Sequence, residues 1–172
     1  MSETPKQYTD RILSYVGDDD PWTILASTPS RLRGLIAGRA RAQLEFKPSP
    51  ERWSVIELLA HLADAEVVGA WRVRSVLAAS GTALQPYDQD RWAGTFRYAS
   101  ADPLQSLDLF QAARSSTLSL LGRVDPALHG NYGVHGERGR ETVAEIVRLY
   151  AGHDRNHLTQ IERLLAADPV AS

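Results

Sequence analysis

The chain has 172 residues and about 19 kDa of mass, the size of one domain able to bury a single substantial core. Apolar residues make up 43% and charged residues 23%, with a formal net charge of −2 and a pI near 6.2; this balance is ordinary for a globular protein and argues against a dedicated nucleic-acid binder, which carries a basic excess. The chain has no cysteine, which excludes disulfides, thiolate nucleophiles and iron–sulfur clusters and leaves any metal to His, Asp and Glu. No apolar run approaches a membrane span, and the start, Met1 to Lys6, lacks the pattern of a signal peptide, so no membrane association and a cytoplasmic location are expected.

The chain reads as helical blocks, with strand signals scarce. A short helix is predicted over Tyr8 to Val16, ending at Gly17. The next helix starts at either Asp20-Pro21 or Thr28-Pro29, both placing Pro just inside a capping residue, and fades near Ala42. The second long helix opens on a capping box, Ser54-Val55-Ile56-Glu57, with Trp53 set to staple onto Leu58, and runs to Ser80-Gly81. The connection from Gly81 to Ala101 is long for a helix–helix link; it can cross a bundle end and leave the flanking helices parallel. Its aromatic residues, Tyr87 and Trp92 among them, are candidates to wall a cleft or to plug the bundle end. The third helix opens at Asp102-Pro103 and ends before Gly122. A glycine-rich connection, Asp125 to Glu141, carries His129 and His135, expected to be surface or loop-packing residues. The fourth helix opens on Thr142-Val143-Ala144-Glu145, a second capping box, and reaches about Ala166.

Chemistry can reside in the helical histidines. His153 and His157 are four residues apart, about 40° around one helix face, and can converge on one ion. They fall within the apolar arc of Val143, Ile146, Tyr150, Ile161 and Leu164, with Arg148, Arg155 and Glu162 opposite. His61 lies on the flank of its helix's apolar arc, a position near the bundle mouth. Three ligands with open positions is the pattern of a catalytic rather than a structural metal site. An ordinary core histidine is the alternative at each position. The run His153-Asp154-Arg155-Asn156-His157 also resembles the zinc-protease pattern H-E-x-x-H, but with a shorter Asp where the general base stands and nothing else to support a peptidase.

The combination is more specific than its parts. Trp53 to Glu66 resembles the second-helix motif of the DinB/YfiT-like superfamily, and Tyr150 to Ile161 its fourth-helix motif. Asp88 to Ala93 and Gly136 to Thr142 resemble further family segments, and the likeness spans roughly Thr28 to Leu165. The resemblance implies an all-α four-helix bundle of up-down-down-up topology, as one domain over residues 1–172 with its core at about 28–165. It implies one divalent metal on His61, His153 and His157, and a homodimer; a three-histidine site without a carboxylate can take zinc, nickel or iron. The implied activity is thiol S-transfer with bacillithiol or mycothiol, or metal-dependent hydrolysis of a small molecule; a non-catalytic metal-binding or metal-free helical dimerisation module is the alternative. Gln160, three residues after His157, can orient that imidazole. Arg72 shares the stripe of His61 and can bind a substrate carboxylate or phosphate, a surface ion pair being the expected alternative. Asp64 is expected to be exposed. Arg114, in the apolar arc of its helix, needs a carboxylate partner that the sequence does not identify.

Overall fold

Four long helices carry the architecture. The computed structural model describes residues 3–167 and places α1 at Pro5–Ser14, α2 at Pro21–Ile36, α3 at Arg41–Glu45, α4 at Val55–Ala78, α5 at Gln89–Thr95, α6 at Pro103–Arg123 and α7 at Val143–Ala166. Each long helix starts where its sequence supplies acceptors for the first free N–H groups. Ser54 with Glu57 and Thr142 with Glu145 form the two capping boxes of α4 and α7. Asp20 accepts from the N–H groups of Trp22 and Thr23, and Asp102 from those of Leu104 and Gln105.

Of the two starts open for α2, Asp20-Pro21 is the one used, so Pro29 lies inside the helix. An interior proline leaves the carbonyl four residues earlier without an N–H partner. That carbonyl belongs to Leu25, and Arg114 of α6 donates to it at 2.9 Å. The helix ends at Ile36 rather than fading near Ala42, with Gly38 at a φ of 72° separating it from α3.

Two apolar clusters fix the helix directions. At one end Leu32 and Ile36 of α2 pack with Leu58 and Leu62 of α4, Phe110 of α6 and Leu158 and Ile161 of α7. At the other end Leu25, Val73, Val76, Leu121 and Ile146 meet. Moving between the clusters, α2 and α7 run one way and α4 and α6 the other, which is the up-down-down-up order. The core also reaches back to Ile12 and Val16 in and just after α1. α1 approaches α7 at Gly152, where an added Cβ would lie 2.1 Å from the Ile12 carbonyl oxygen.

The connections contain a sheet that the expectation of scarce strands does not include. β1 (Thr82–Leu84), β2 (Tyr132–His135) and β3 (Gly139–Thr142) form it in that order, β1 parallel to β2 and β2 antiparallel to β3. Its strands are only three or four residues long. Too short to show an alternation, they are held instead by pairing across the two long connections. The sheet brings Gln85 and His135 to the same end of α4. No helix among the described residues is long and apolar enough to cross a membrane.

Candidate metal centre

His61 on α4 and His153 and His157 on α7 meet inside the bundle. His61 Nε2 is 3.1 Å from His153 Nε2, and His157 Nε2 is 3.2 Å from the same atom. Ligand atoms of all three residues lie within 4.8 Å of one another. Two imidazoles bound to one ion at about 2.0–2.1 Å have nitrogens separated by about 2.9 Å in cis-octahedral and about 3.3 Å in tetrahedral geometry. Both spacings to His153 Nε2 fall in that interval. Proton sharing accounts for less: His153 Nε2 carries either one hydrogen or one lone pair, so it can pair with only one of its two neighbours. A cation satisfies both contacts at once.

The surroundings favour neutral rings. Burial draws His61 down to about 3 and His157 to about 4, and holds His153 well below the ordinary imidazole value, with the neighbouring rings pushing His61 and His153 the same way. Neutral imidazoles present the lone pairs that a metal needs. Gln160 Oε1 lies 3.1 Å from His157 Nδ1; accepting that N–H leaves the Nε2 lone pair facing the other two rings. Trp53 packs on His61 with ring centroids 5.0 Å apart. His61 is therefore more enclosed than a position on the flank of the arc suggested, at 1% exposed, while its Nδ1 has no partner.

A pocket opens on this cluster. His61 and His153 line it together with Tyr8 of α1, Arg72 of α4, Tyr87 of the crossover, His135 of β2 and Arg138 of the hairpin. His157 lies behind them, against Gln160. Arg72 is not a surface ion pair: it is 6% exposed and donates to the Gln85 carbonyl at 2.6 Å. Tyr87 lines the pocket, whereas Trp92 stands behind it, with ring centroids 4.4 Å apart, and lines a separate groove. Asp64 is partly buried and accepts from the Tyr98 hydroxyl at 2.6 Å, which pins the crossover to α4.

Two expectations about charge resolve together. The carboxylate partners of Arg114 are Glu66 and Asp154, met at 2.6–3.1 Å through Nε, Nη1 and Nη2. The network is buried and joins α2, α4, α6 and α7. Asp154 is thereby committed to Arg114, although it stands where a zinc protease carries its general base. The likeness to H-E-x-x-H is one of sequence alone.

The family follows from comparison. A profile of the DinB superfamily matches residues 24–161. The chain belongs to the DinB superfamily. It is 26% identical over 137 residues to a protein of Oceanobacillus iheyensis named "Putative metal-dependent hydrolase", covering 79% of this chain and 78% of that one. It is 25% identical over 147 residues to the "Putative metal-dependent hydrolase YfiT" of Bacillus subtilis, covering 84% and 83%. The solved structure of YfiT, described as a probable metal-dependent hydrolase with an unusual four-helix bundle topology, superposes with a TM-score of 0.77 at 23% identity, covering 95% of this chain and 88% of that chain. That likeness establishes the shared fold.

Proposed function

We propose that this DinB superfamily member is a metal-dependent hydrolase of small molecules in which His61, His153 and His157 hold one divalent ion, zinc, nickel or iron. The convergence of three neutral Nε2 atoms at 3.1 and 3.2 Å, beside an open pocket, carries the reading. An ion held by these imidazoles would supply Lewis acidity at the pocket. The chain's own groups do the rest. Gln160 fixes the His157 tautomer, Trp53 holds the His61 ring, and Arg72 and Tyr87 bind the substrate, with Trp92 backing Tyr87.

Transfer of a low-molecular-weight thiol, such as bacillithiol or mycothiol, is the other chemistry open to the same centre. Neither version calls on a protein thiol, which agrees with a chain that has no cysteine. Trp71, Val67 and Phe96 form exposed apolar surface beside the crossover, which supports the homodimer that the family resemblance implies. Cytoplasmic residence belongs to the same proposal, as does the absence of a nucleic-acid partner, which the near-neutral charge balance supports.

The test is a panel of ester, amide and phosphoester probes, each offered with and without thiols. The proposal expects turnover that chelation abolishes, that a single divalent metal restores, and that His153→Ala lacks. Turnover indifferent to chelation would overturn it, and a bound ion without any turnover would mark a non-catalytic binding module.

A further inference from the structure

Arg72 is a buried cation without a counter-ion. Arg114, the other fully buried arginine, has Glu66 and Asp154 as carboxylate partners, and the half-buried Arg138 has Glu141. Arg72 makes no salt bridge among the described residues. Its Nη2 donates to the Gln85 carbonyl, and its Nε is buried with no partner at all. An unpaired charge so placed is costly unless something in the pocket compensates it.

His135 sharpens the point. Its Nδ1 accepts from the Glu137 backbone N–H at 3.2 Å. Burial, aided by Arg138 and Arg72, draws this imidazole down to about 4, so the ring is neutral and its single hydrogen sits on Nε2. That Nε2–H lies 3.3 Å from Arg72 Nη2, itself a donor. Two donors therefore face each other with no acceptor between them. The Tyr87 ring lies 6.0 Å from the Arg72 guanidinium carbon, and its hydroxyl makes no hydrogen bond among the described residues. All three side chains line the pocket that His61 and His153 also line.

We propose that the pocket takes a substrate bearing an anionic oxygen group, a carboxylate or a phosphoryl group, seated on Arg72 and His135 with the Tyr87 hydroxyl as a further donor. One oxygen satisfies both opposed donors, and the negative charge supplies the missing counter-ion. Arg72 follows His61 by eleven residues on α4, about 16 Å along the helix axis. A substrate seated on Arg72 has its anionic end at the sheet and its reacting bond toward the imidazoles that line the same pocket. This placement of the reacting bond rests on the proposed metal centre; the anion seat does not.

The test is calorimetric titration of inorganic phosphate and of succinate, with neutral succinamide as control, at constant ionic strength. It uses the protein as purified and after chelation, with metal content measured on the same samples. Saturable binding of one anion per chain is expected, at least tenfold weaker in Arg72→Gln and weakened in His135→Phe, and unchanged in His153→Ala. Because Arg72 also supports the strand end at Gln85, His135→Phe carries the test if Arg72→Gln does not fold by circular dichroism. The relative affinities of phosphate and succinate assign the anion class. The proposal is overturned if folded wild type shows no saturable binding, if succinamide binds equally well, or if the folded variants bind like wild type. It is also overturned if phosphate binds only the metal-loaded protein and not His153→Ala, which would leave the metal reading standing. Absence of metal with anion binding intact would overturn the metal reading alone.

Discussion

Replacing Arg114 by Met removes a cation that makes two hydrogen bonds to Glu66, two to Asp154 and one to the Leu25 carbonyl. The carboxylate side chains left behind are 4% and 1% exposed. Breaking a buried ion pair from one side costs about 3–5 kcal/mol, and in a domain of this size each kcal/mol moves Tm by about 2–4 °C. A fall of about 6–20 °C is expected, read by thermal and urea unfolding. The pH dependence separates this cause from lost packing. Burial raises the Glu66 carboxyl above its ordinary value, and loss of the guanidinium, which opposes that rise, raises it further. Stability is then recovered as pH falls and lost as pH rises through the folded value. The deficit of Arg114→Met relative to wild type should therefore shrink between pH 7 and pH 5, and adding Glu66→Gln and Asp154→Asn should recover part of it at pH 7. A deficit under about 1 kcal/mol, or one that is flat with pH, would refute the view that this network ties the four helices together.

Further outcomes follow from the same structure. Gly152→Ala forces a Cβ against the Ile12 carbonyl, so it should destabilise by about 1–3 kcal/mol despite alanine's better helix propensity, whereas Gly34→Ala, with open space around it, should stabilise by up to about 1 kcal/mol; urea unfolding of the pair measures both. Gln160→Ala should weaken metal affinity about 10–100-fold while leaving the fold intact, as competition with a chelator would show. In the metal-free protein, the unfolded chain takes up protons on His61, His153 and His157 below about 6.5, whereas the folded rings resist until about 3–4 at His61 and His157. Stability should therefore fall as pH drops through that window, and urea midpoints that are flat from pH 7 to pH 5 would contradict the burial of these rings.

The long helices were legible because their signals are local. Capping residues and the apolar stripe of α7 lie within one segment, and the two capping boxes sit where the sequence places them. The parallel course of α4 and α6 was legible from the length of the crossover alone. What is not legible depends on residues distant in sequence. Arg114 reveals its need for a carboxylate, but Glu66 and Asp154 lie on two other helices. The start of α2 was ambiguous because Pro29 looks like a first-turn proline until a side chain from α6 is seen to satisfy the Leu25 carbonyl. The sheet is not legible because its strands pair across long connections and each is too short to show a period. Arg72 looks like a surface residue from its helix alone, and only Gln85 and His135, delivered by that sheet, enclose it. The spacing of His153 and His157 suggested a shared ion, and Gln160 reached His157 as the stripe implied. The depth of His61 was not legible, since Trp53 and the crossover, which seal it, fold back from outside its helix.

The proposed metal centre stands or falls most directly on metal content. Purified protein, incubated with zinc, nickel and iron in turn and freed of unbound ions, is measured by elemental analysis beside His61→Ala, His153→Ala and His157→Ala. One tightly held ion per chain in the wild type, and none in any of the three folded variants, is the predicted result. A wild type that retains no ion, or a folded variant that retains as much as wild type, would contradict it.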